Sequence, residues 1–412
     1  MTDELRWVRL VFVDVFGGSH AVVLPAERFD VALEKGAPFD GSALEGRARH
    51  LEEDMLLKPD RDTLLQLGNG QARVACWVFG SDGRAWPGDP RTALASLVEE
   101  AGELGAGYRA AAELEFYLLD GDGRPVDRGG YFGELEGAGI AVAKAAAERL
   151  AGYGVQVIST HLEAGPGQYE LDLAAMRPLA LADGLVVAKQ VVRETAAAAQ
   201  LRATFMARPF STEPGSGLHL HQHVEGRLFD DRGDLDDAGR AFVAGQLHHA
   251  RGLAALAAPT VNSYKRLHSG PEAPSAIVWA HSNRAALVRV GSSAERRPAV
   301  EFRLADPSAN PYLLIGGLLV AAAHGLDAGL DPGGPFEEDL GGWDPSVAES
   351  VQLQPLPRDL DGALDALIRD DVLVDAFDSR LLNPLVEGRR AEAEAYRAQV
   401  TSWEIDRYLD DA

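Results

Sequence analysis

The stretch VQVISTHLEAGPGQYELDL, residues 155–173, decides how the chain is built. Two runs of strand-forming residues flank Gly165-Pro166-Gly167, so they read as strands joined by a tight reversal. Glu163 and Glu170 fall on either side of that reversal. They are either surface decoration on a hairpin or a pair converging on a cation. The same question extends to two further strands. In AAELEFYLLD (111–120), Glu113 and Glu115 share one face, while Leu114 and Phe116 point the other way into a core. In GSGLHLHQHV (215–224), His219, His221 and His223 share one face of a strand that follows a flexible Gly-Ser-Gly.

Ala-rich helical stretches, GIAVAKAAAERLAGYG and LADGLVVAKQVVRETAAAAQ, lie between these strands. Upstream, WVRLVFVDVFGGSHAVVL (7–24) reads as a hairpin turning at Gly17-Gly18, and FDVALEKG as a short helix. DTLLQLGNGQARVACWVF reads as two strands around Gly-Asn-Gly. This small unit is expected to end near RAWPGDPRT (84–92), with Thr92 capping the helix TALASLVEEAGELG. Past residue 311 the chain reads as largely helical, with DAGLDPGGPFEEDLGGWDPS (327–346) as an exposed loop. The fold class is therefore α+β.

A chain of 412 residues, 46% of them hydrophobic, can bury a substantial core. Its formal net charge of -24 repels phosphate backbones and anionic lipid, which excludes nucleic acid and membrane surfaces as partners. Cys76 is the only cysteine, so neither an internal disulfide nor a thiolate zinc cluster is available, as suits a reducing cytoplasm. The N-terminus lacks the basic-then-apolar order of a signal peptide. The apolar stretch YLLIGGLLVAAAHGL (312–326) is shorter than a bilayer span and reads as a buried helix. A cytoplasmic location is expected.

Each motif alone has a bland reading. The Glu-x-Glu strand and the histidine strand can be solvated faces, and three alternating histidines also suit zinc. RAALVRVGSSAERRPAVEFR (284–303) holds Arg284, Arg289, Arg296, Arg297 and Arg303 against only Glu295 and Glu301. In so acidic a chain that excess suits a polyanion such as a nucleotide's phosphates, or else plain pairing to surface carboxylates. VNSYKRLHSGPEAPSAIVWA places Lys265, Arg266 and Glu272 in a Gly/Pro-flanked loop, either solvated or acting as a lid. Taken together, the motifs describe one kind of site. Carboxylates and histidine without thiolates suit Mg²⁺ or Mn²⁺, and arginines beside such ions suit phosphoryl transfer. A dinuclear iron site uses similar ligands but normally sits in a helical bundle, and it leaves the arginines unexplained.

In their order, FVDVFGG, EEDMLLKPD, AELEFYL, GGYFG, HLEAGPGQYEL, GSGLHLH, NSYKRL, EAP, VEFR, ANPYL and VTSWEIDRYL resemble the glutamine synthetase family of the bacterial type I kind, over nearly the whole chain. The resemblance implies a β-grasp-like N-terminal domain (1–86) and a larger catalytic domain (87–412) of curved antiparallel strands backed by helices. It implies an ATP-dependent ligase that phosphorylates a carboxylate, most readily glutamate, and condenses the acyl phosphate with an amine to a γ-glutamyl amide, with glutamine synthetase proper, using ammonia, as the alternative.

By the same resemblance, Glu115, Glu163 and Glu170 hold one Mg²⁺ or Mn²⁺ ion, and Glu113, His219 and Glu301 hold another. Arg266, with Gly215 and Pro214, meets the substrate amino acid. Arg284 and Arg303 neutralise the transferred phosphoryl. His221, His223, Arg289, Arg296 and Arg297 contact the nucleotide. Asp40, Tyr131 and Glu272 form the ammonium pocket and its flap. The family's double hexameric ring would place Asp40 in a neighbouring subunit's site. The chain departs from the pattern at Pro214 (Asn in the family), Ala299 (Arg), Ala43 (Ser) and Leu162 (His), and it lacks the adenylylation tyrosine. A non-catalytic nucleotide- or partner-binding relative is the alternative, and the complete ligand set argues against it.

Overall fold

The computed structural model describes residues 4–45, 54–131, 133, 137–268, 273–274, 276–292, 294–295, 297–338 and 353–410. Two sheets organise the chain. The first holds β1 (Trp7–Val13), β2 (Ser19–Pro25), β3 (Ala37–Asp40), β4 (Asp54–Pro59), β5 (Leu65–Gly68) and β6 (Gln71–Phe79). Its order is β2-β1-β6-β4-β3, with β5 also on β6, and β1 runs parallel to β6. The β1–β2 reversal works because Asp14 Oδ1 accepts the amides of Phe16 and Gly18 at 2.9 and 2.7 Å while Gly17 takes a positive φ of 87°. The helix Phe29–Lys35 covers this sheet through Phe29 and Ala32, closing a separate small core.

The second sheet holds β7 (Tyr108–Leu119), β8 (Val157–Leu162), β9 (Gln168–Met176), β10 (Arg202–Thr204), β11 (Leu218–Val224), β12 (Ala276–Ala280), β13 (Ala286–Ser292) and β14 (Pro298–Phe302). Its order is β12-β13-β14-β11-β7-β9-β8, with β10 on the end of β7. Pairing is antiparallel except between β12 and β13, which lie parallel. One face is apolar: Leu114, Phe116, Leu171, Leu218, Leu220, Val300 and Phe302 are fully buried. They join the helices Pro178–Ala198 and Pro311–Ala328 in one continuous core. Strand alternation then forces the intervening charged residues onto the opposite face.

Several local expectations change. The helix Pro90–Glu100 is capped by Asp89 rather than Thr92, because Pro90 at the first helical position needs no amide partner. Lys265 and Arg266 lie on the helix Val261–Leu267, not in a loop; a capping box between Thr260 and Ser263 starts it despite the Gly and Pro that follow. The C-terminal helical stretch breaks between Ser379–Arg397 and Ser402–Tyr408, where Thr401 and Glu404 form a second capping box. The apolar helix runs Pro311–Ala328, long and apolar enough to cross a membrane, but 67% of it is buried in the chain's own core. Of the 327–346 stretch, residues 329–338 hold no regular element and the rest past 338 lies outside the described residues.

Asp89 also yields a pH prediction. It is 1% exposed, and burial pushes its carboxyl up to about 6, against the lowering effect of hydrogen bonds from Thr92, Arg91 and Val78. With an unfolded value of 3.8, stability is lost as pH rises between those two values, because the unfolded carboxyl ionises first. Asp89→Asn cannot ionise and remains a good cap. The difference in melting temperature, variant minus wild type, is therefore expected to move in the variant's favour as pH rises from about 4 to about 7. A pH-independent difference in thermal denaturation would remove this role for burial.

Candidate active site

Strand register assembles the charged face as three rows. Arg289 on β13 pairs with Glu301 on β14, which pairs with His221 on β11. His219 on β11 pairs with Glu113 on β7, which pairs with Asp172 on β9. Glu115 on β7 pairs with Glu170 on β9, which pairs with His161 on β8. Neighbouring rows are two residues apart along each strand, so all these side chains project the same way. Residues far apart in sequence thus meet because the sheet's other face must be buried.

The β8–β9 turn completes the third row. Gly165 passes so close to Tyr117 that a Cβ there would lie 2.1 Å from its hydroxyl, and Gly167 has φ of 68°. Across the turn, Glu163 N donates to Gln168 O at 2.9 Å. Gln168 Nε2 then donates to Glu115 Oε2 at 2.9 Å and to Gly215 O at 3.1 Å. The Tyr117 hydroxyl donates to Pro214 O at 2.7 Å. One glutamine and one tyrosine thereby lock the turn, a row carboxylate and the Pro214-Gly215 segment into a single frame.

The carboxylates and histidines converge in three groups whose donor atoms lie within 4.8 Å of one another: Glu113, His221 and Glu301; His161, Glu163 and Glu170; and Glu113, Glu170 and Asp172. Ligand atoms on opposite sides of Mg²⁺ or Mn²⁺ are about 4.2 Å apart, so the groups fit such ions, and all their donors are oxygen or imidazole nitrogen. Glu113 accepts from His219 Nδ1 at 2.8 Å and His221 Nε2 at 2.6 Å. Burial opposes its charge, but these two contacts hold its carboxyl well below the usual range. Glu301 is likewise held down, against burial, by Arg303, His221 and His219. Burial and the surrounding Glu113, Glu115, Asp172 and Glu163 push Glu170 well above it. A buried centre of mutually repelling carboxylates is a place where a divalent cation is stabilising.

Arg266 is 5% exposed and donates from Nη1 to Leu304 O at 2.8 Å and from Nη2 to Arg303 O at 3.2 Å. Burial pushes its pKa down. Arg303 donates from Nε to Arg284 O at 2.9 Å and touches Glu301 through Nη1. The Arg284 guanidinium stands 5.8 Å from the Tyr131 ring centre, and Tyr131 meets the His161 ring edge-on at 6.1 Å. Arg289 Nε lies 2.7 Å from Glu301 Oε2. Farther along β11, burial and then Arg297 lower the pKa of His223. A cavity of about 350 Å³ opens beside the rows, and Glu115, Glu163, Pro214, Gly215, His219 and Arg266 line it.

Most of the expected site residues are thus brought together, with refinements. His221 converges with Glu113 and Glu301, while His219 turns Nε2 to within 3.5 Å of Arg266. His161, Asp172, Gln168 and Tyr117 were not singled out from sequence. Asp172 carried a usable signal, since Glu170-x-Asp172 repeats the Glu113-x-Glu115 pattern. Ala299 is buried on β14 opposite Gly291, two positions from the exposed Arg297. Asp40 is exposed at the end of β3, where its carboxylate accepts the Ser42 amide, and it does not line the cavity. Glu272 and Arg296 lie outside the described residues.

Residues 87–408 match the glutamine synthetase catalytic domain, and residues 4–80 match the glutamine synthetase β-grasp domain. The glutamine synthetase of Thermotoga maritima is 36% identical over 99% of this chain and 97% of its own length. That of Methanococcus maripaludis is 35% identical over 99% and 97%. Among solved structures, an ADP complex of GmaS superposes with a TM-score of 0.85 at 29% identity, covering 100% of both chains. A Plasmodium falciparum glutamine synthetase shares the fold at a TM-score of 0.88 and 20% identity. The chain belongs to the glutamine synthetase family and is an ATP-dependent ligase.

Proposed function

We propose that the enzyme joins glutamate, through its γ-carboxylate, to a small organic amine, forming a γ-glutamyl amide. Ala43 is the observation that carries the amine. It sits three residues after Asp40, packed against the β-grasp core, where the family commonly has serine. A methyl in place of a hydroxymethyl makes the amine pocket less polar and slightly roomier, which suits an alkyl substituent on nitrogen. The likeness to GmaS over the full chain supports the same reading. Pro214 adds to it: its carbonyl is engaged by Tyr117, and it offers no side-chain amide to the acid.

In this reading the γ-carboxylate oxygen attacks the terminal phosphorus of ATP, and the bond to ADP breaks. The amine nitrogen then attacks the acyl carbon, phosphate leaves with the bonding electrons, and the nitrogen's proton passes to a carboxylate of the Asp40 and Glu272 pair. Arg266 binds the α-carboxylate. Arg303 and Arg284 balance charge on the transferred phosphoryl. Arg289, Arg297 and His223 face the nucleotide. Glu115, Glu163 and Glu170, helped by His161, would hold one divalent ion, and Glu113, Glu301 and His219 or His221 another. Bound there, the ions supply charge neutralisation for phosphate and carboxylate oxygens. Asp40's exposure outside the cavity supports a ring in which a neighbouring subunit's β-grasp domain closes the site.

ADP release with Mg²⁺ or Mn²⁺ over a matrix of acids and amines, with product masses, tests the proposal. Glutamate with methylamine or ethylamine is expected to exceed glutamate with ammonia in kcat/KM. The second reading, glutamine synthetase proper, is favoured by the names of the relatives at 34–36% identity. It takes the place of the first if ammonia gives the higher value.

A further inference from the structure

Between the two sheets lies a second cavity, of about 390 Å³, a size typical of small-molecule sites. Val13, Leu65, Val155, Met176, Leu179 and Val187 make its walls largely apolar. Three arginines line it: Arg177 is exposed, while Arg73 and Arg91 are buried, and the structure treats the two buried ones differently. Arg91 is held on two of its three nitrogens: Nε and Nη2 donate to Asp183, Nη2 also reaches Asp60 at 2.7 Å, and the guanidinium stacks 3.8 Å from the Trp77 ring centre, with Nη1 alone left without a partner among the described residues. Asp183 is engaged in turn, because its Oδ1 also accepts from the Tyr312 hydroxyl at 2.6 Å.

Arg73, on β6, is only 4% exposed, yet its Nε and Nη1 have no hydrogen-bond partner among the described residues. Burial pushes its pKa down, since the nearby acids do not reach it directly. A buried guanidinium with empty donors is destabilising unless something supplies acceptor oxygens. Asp60 and Asp183 are committed to Arg91, and Asp62 is exposed. We propose that this cavity binds a small organic monocarboxylate, its acid group on Arg73 and its apolar body against the walls.

The charge of the ligand follows from the lining. Asp60, Asp62 and Asp183 already balance the charges of Arg73, Arg91 and Arg177 around the same space, so the lining holds no surplus cation for the second negative charge of a phosphate or dicarboxylate. A single carboxylate, with two oxygens, matches Arg73, the buried guanidinium whose Nε and Nη1 are both bare. The walls then reward an apolar body over a hydrated one. None of these residues belongs to the charged face of the second sheet, so the site is distinct from the candidate active site.

The test uses the full-length protein, with benzoate and 4-methyl-2-oxopentanoate as probes, followed by titration calorimetry and thermal shift. Benzamide, succinate and inorganic phosphate serve as controls. At least one monocarboxylate is expected to bind once per chain with a Kd below about 1 mM, and the controls at least about tenfold more weakly. Arg73→Met removes the charge but keeps the bulk, and is expected to weaken binding by about tenfold or more. Leu179→Trp fills the cavity from the helix side, leaves Arg73 in place, and should weaken it likewise; it decides the matter if the first variant folds poorly. The proposal is overturned if neither probe binds, if both bind the two variants as well as the wild type, or if a crystal soaked with probe shows Arg73 satisfied by water alone.

Discussion

Glu170→Gln is expected to raise the melting temperature of the metal-free protein while abolishing metal-dependent ADP release. The two effects share one cause. Glu170 is 5% exposed, and Glu113, Glu115, Asp172 and Glu163 all act on it with the same sign of charge. Like charges about 4 Å apart at an effective dielectric near 20 repel by roughly 4 kcal/mol per pair, an upper bound where groups can protonate or shift. Glutamine keeps the shape and removes the charge, so the folded state in EDTA loses repulsion and gains several degrees. The same substitution removes a donor from a group that needs negative charge to hold a divalent cation. ADP release with glutamate and amine should then fall by about 1,000-fold, and the rise in melting temperature on adding Mg²⁺ or Mn²⁺ should shrink. Thermal denaturation with and without metal, beside a turnover assay, reads both effects. A variant less stable than wild type in EDTA, yet active at saturating metal, would mean that Glu170 is satisfied structurally and is not a ligand.

The reason these residues were legible in sequence is also why others were not. Glu113, Glu115, His219, His221 and Glu301 alternate with fully buried Leu114, Leu218, Leu220 and Phe302, so a period of two identified both faces at once. The Gly165-Pro166-Gly167 reversal needs glycine for close packing at one end and a positive φ at the other, and both needs are visible as composition. Which carboxylate meets which histidine depended instead on register between strands distant in sequence, as in Glu301 opposite His221. No local signal reports that. Helix Val261–Leu267 was hidden because its capping box, Thr260 with Ser263, uses serine where glutamate or glutamine is the usual sign. Arg73 reads as an ordinary strand residue. Its bare donors exist only because Asp183 is claimed by Arg91 and Tyr312, which come from other parts of the chain.

Gly217→Ala should separate substrate binding from nucleotide binding. Gly217 is not among the positive-φ glycines, so its backbone accepts alanine and the added methyl acts through space alone. That methyl would lie 2.6 Å from His219 Nε2, 2.9 Å from Arg266 Nη2 and 3.0 Å from Glu115 Oε1. None of the three can simply swing away. His219 is bonded to Glu113, Arg266 is held by the carbonyls of Leu304 and Arg303, and Glu115 by Gln168. The methyl must therefore displace them, or occupy the space the acid would take between them. Misplacement of positioned groups by about 1 Å can cost on the order of 100-fold, and three are affected together. The expected result is a fall of at least about 100-fold in kcat/KM for the acid, with a lowering of melting temperature from displacing three held side chains. ADP affinity by calorimetry should stay within about threefold, because Arg289, Arg297 and His223 lie at the other end of the rows. Gly215→Ala should cost more stability, since its methyl would meet the Ala207 carbonyl, a backbone atom, at 2.5 Å, and it also crowds the Arg266 stem at 2.6 Å, so acid binding should fall there too. If Gly217→Ala instead turned over glutamate with wild-type kcat/KM, the cavity above Gly217 would not be where the acid binds.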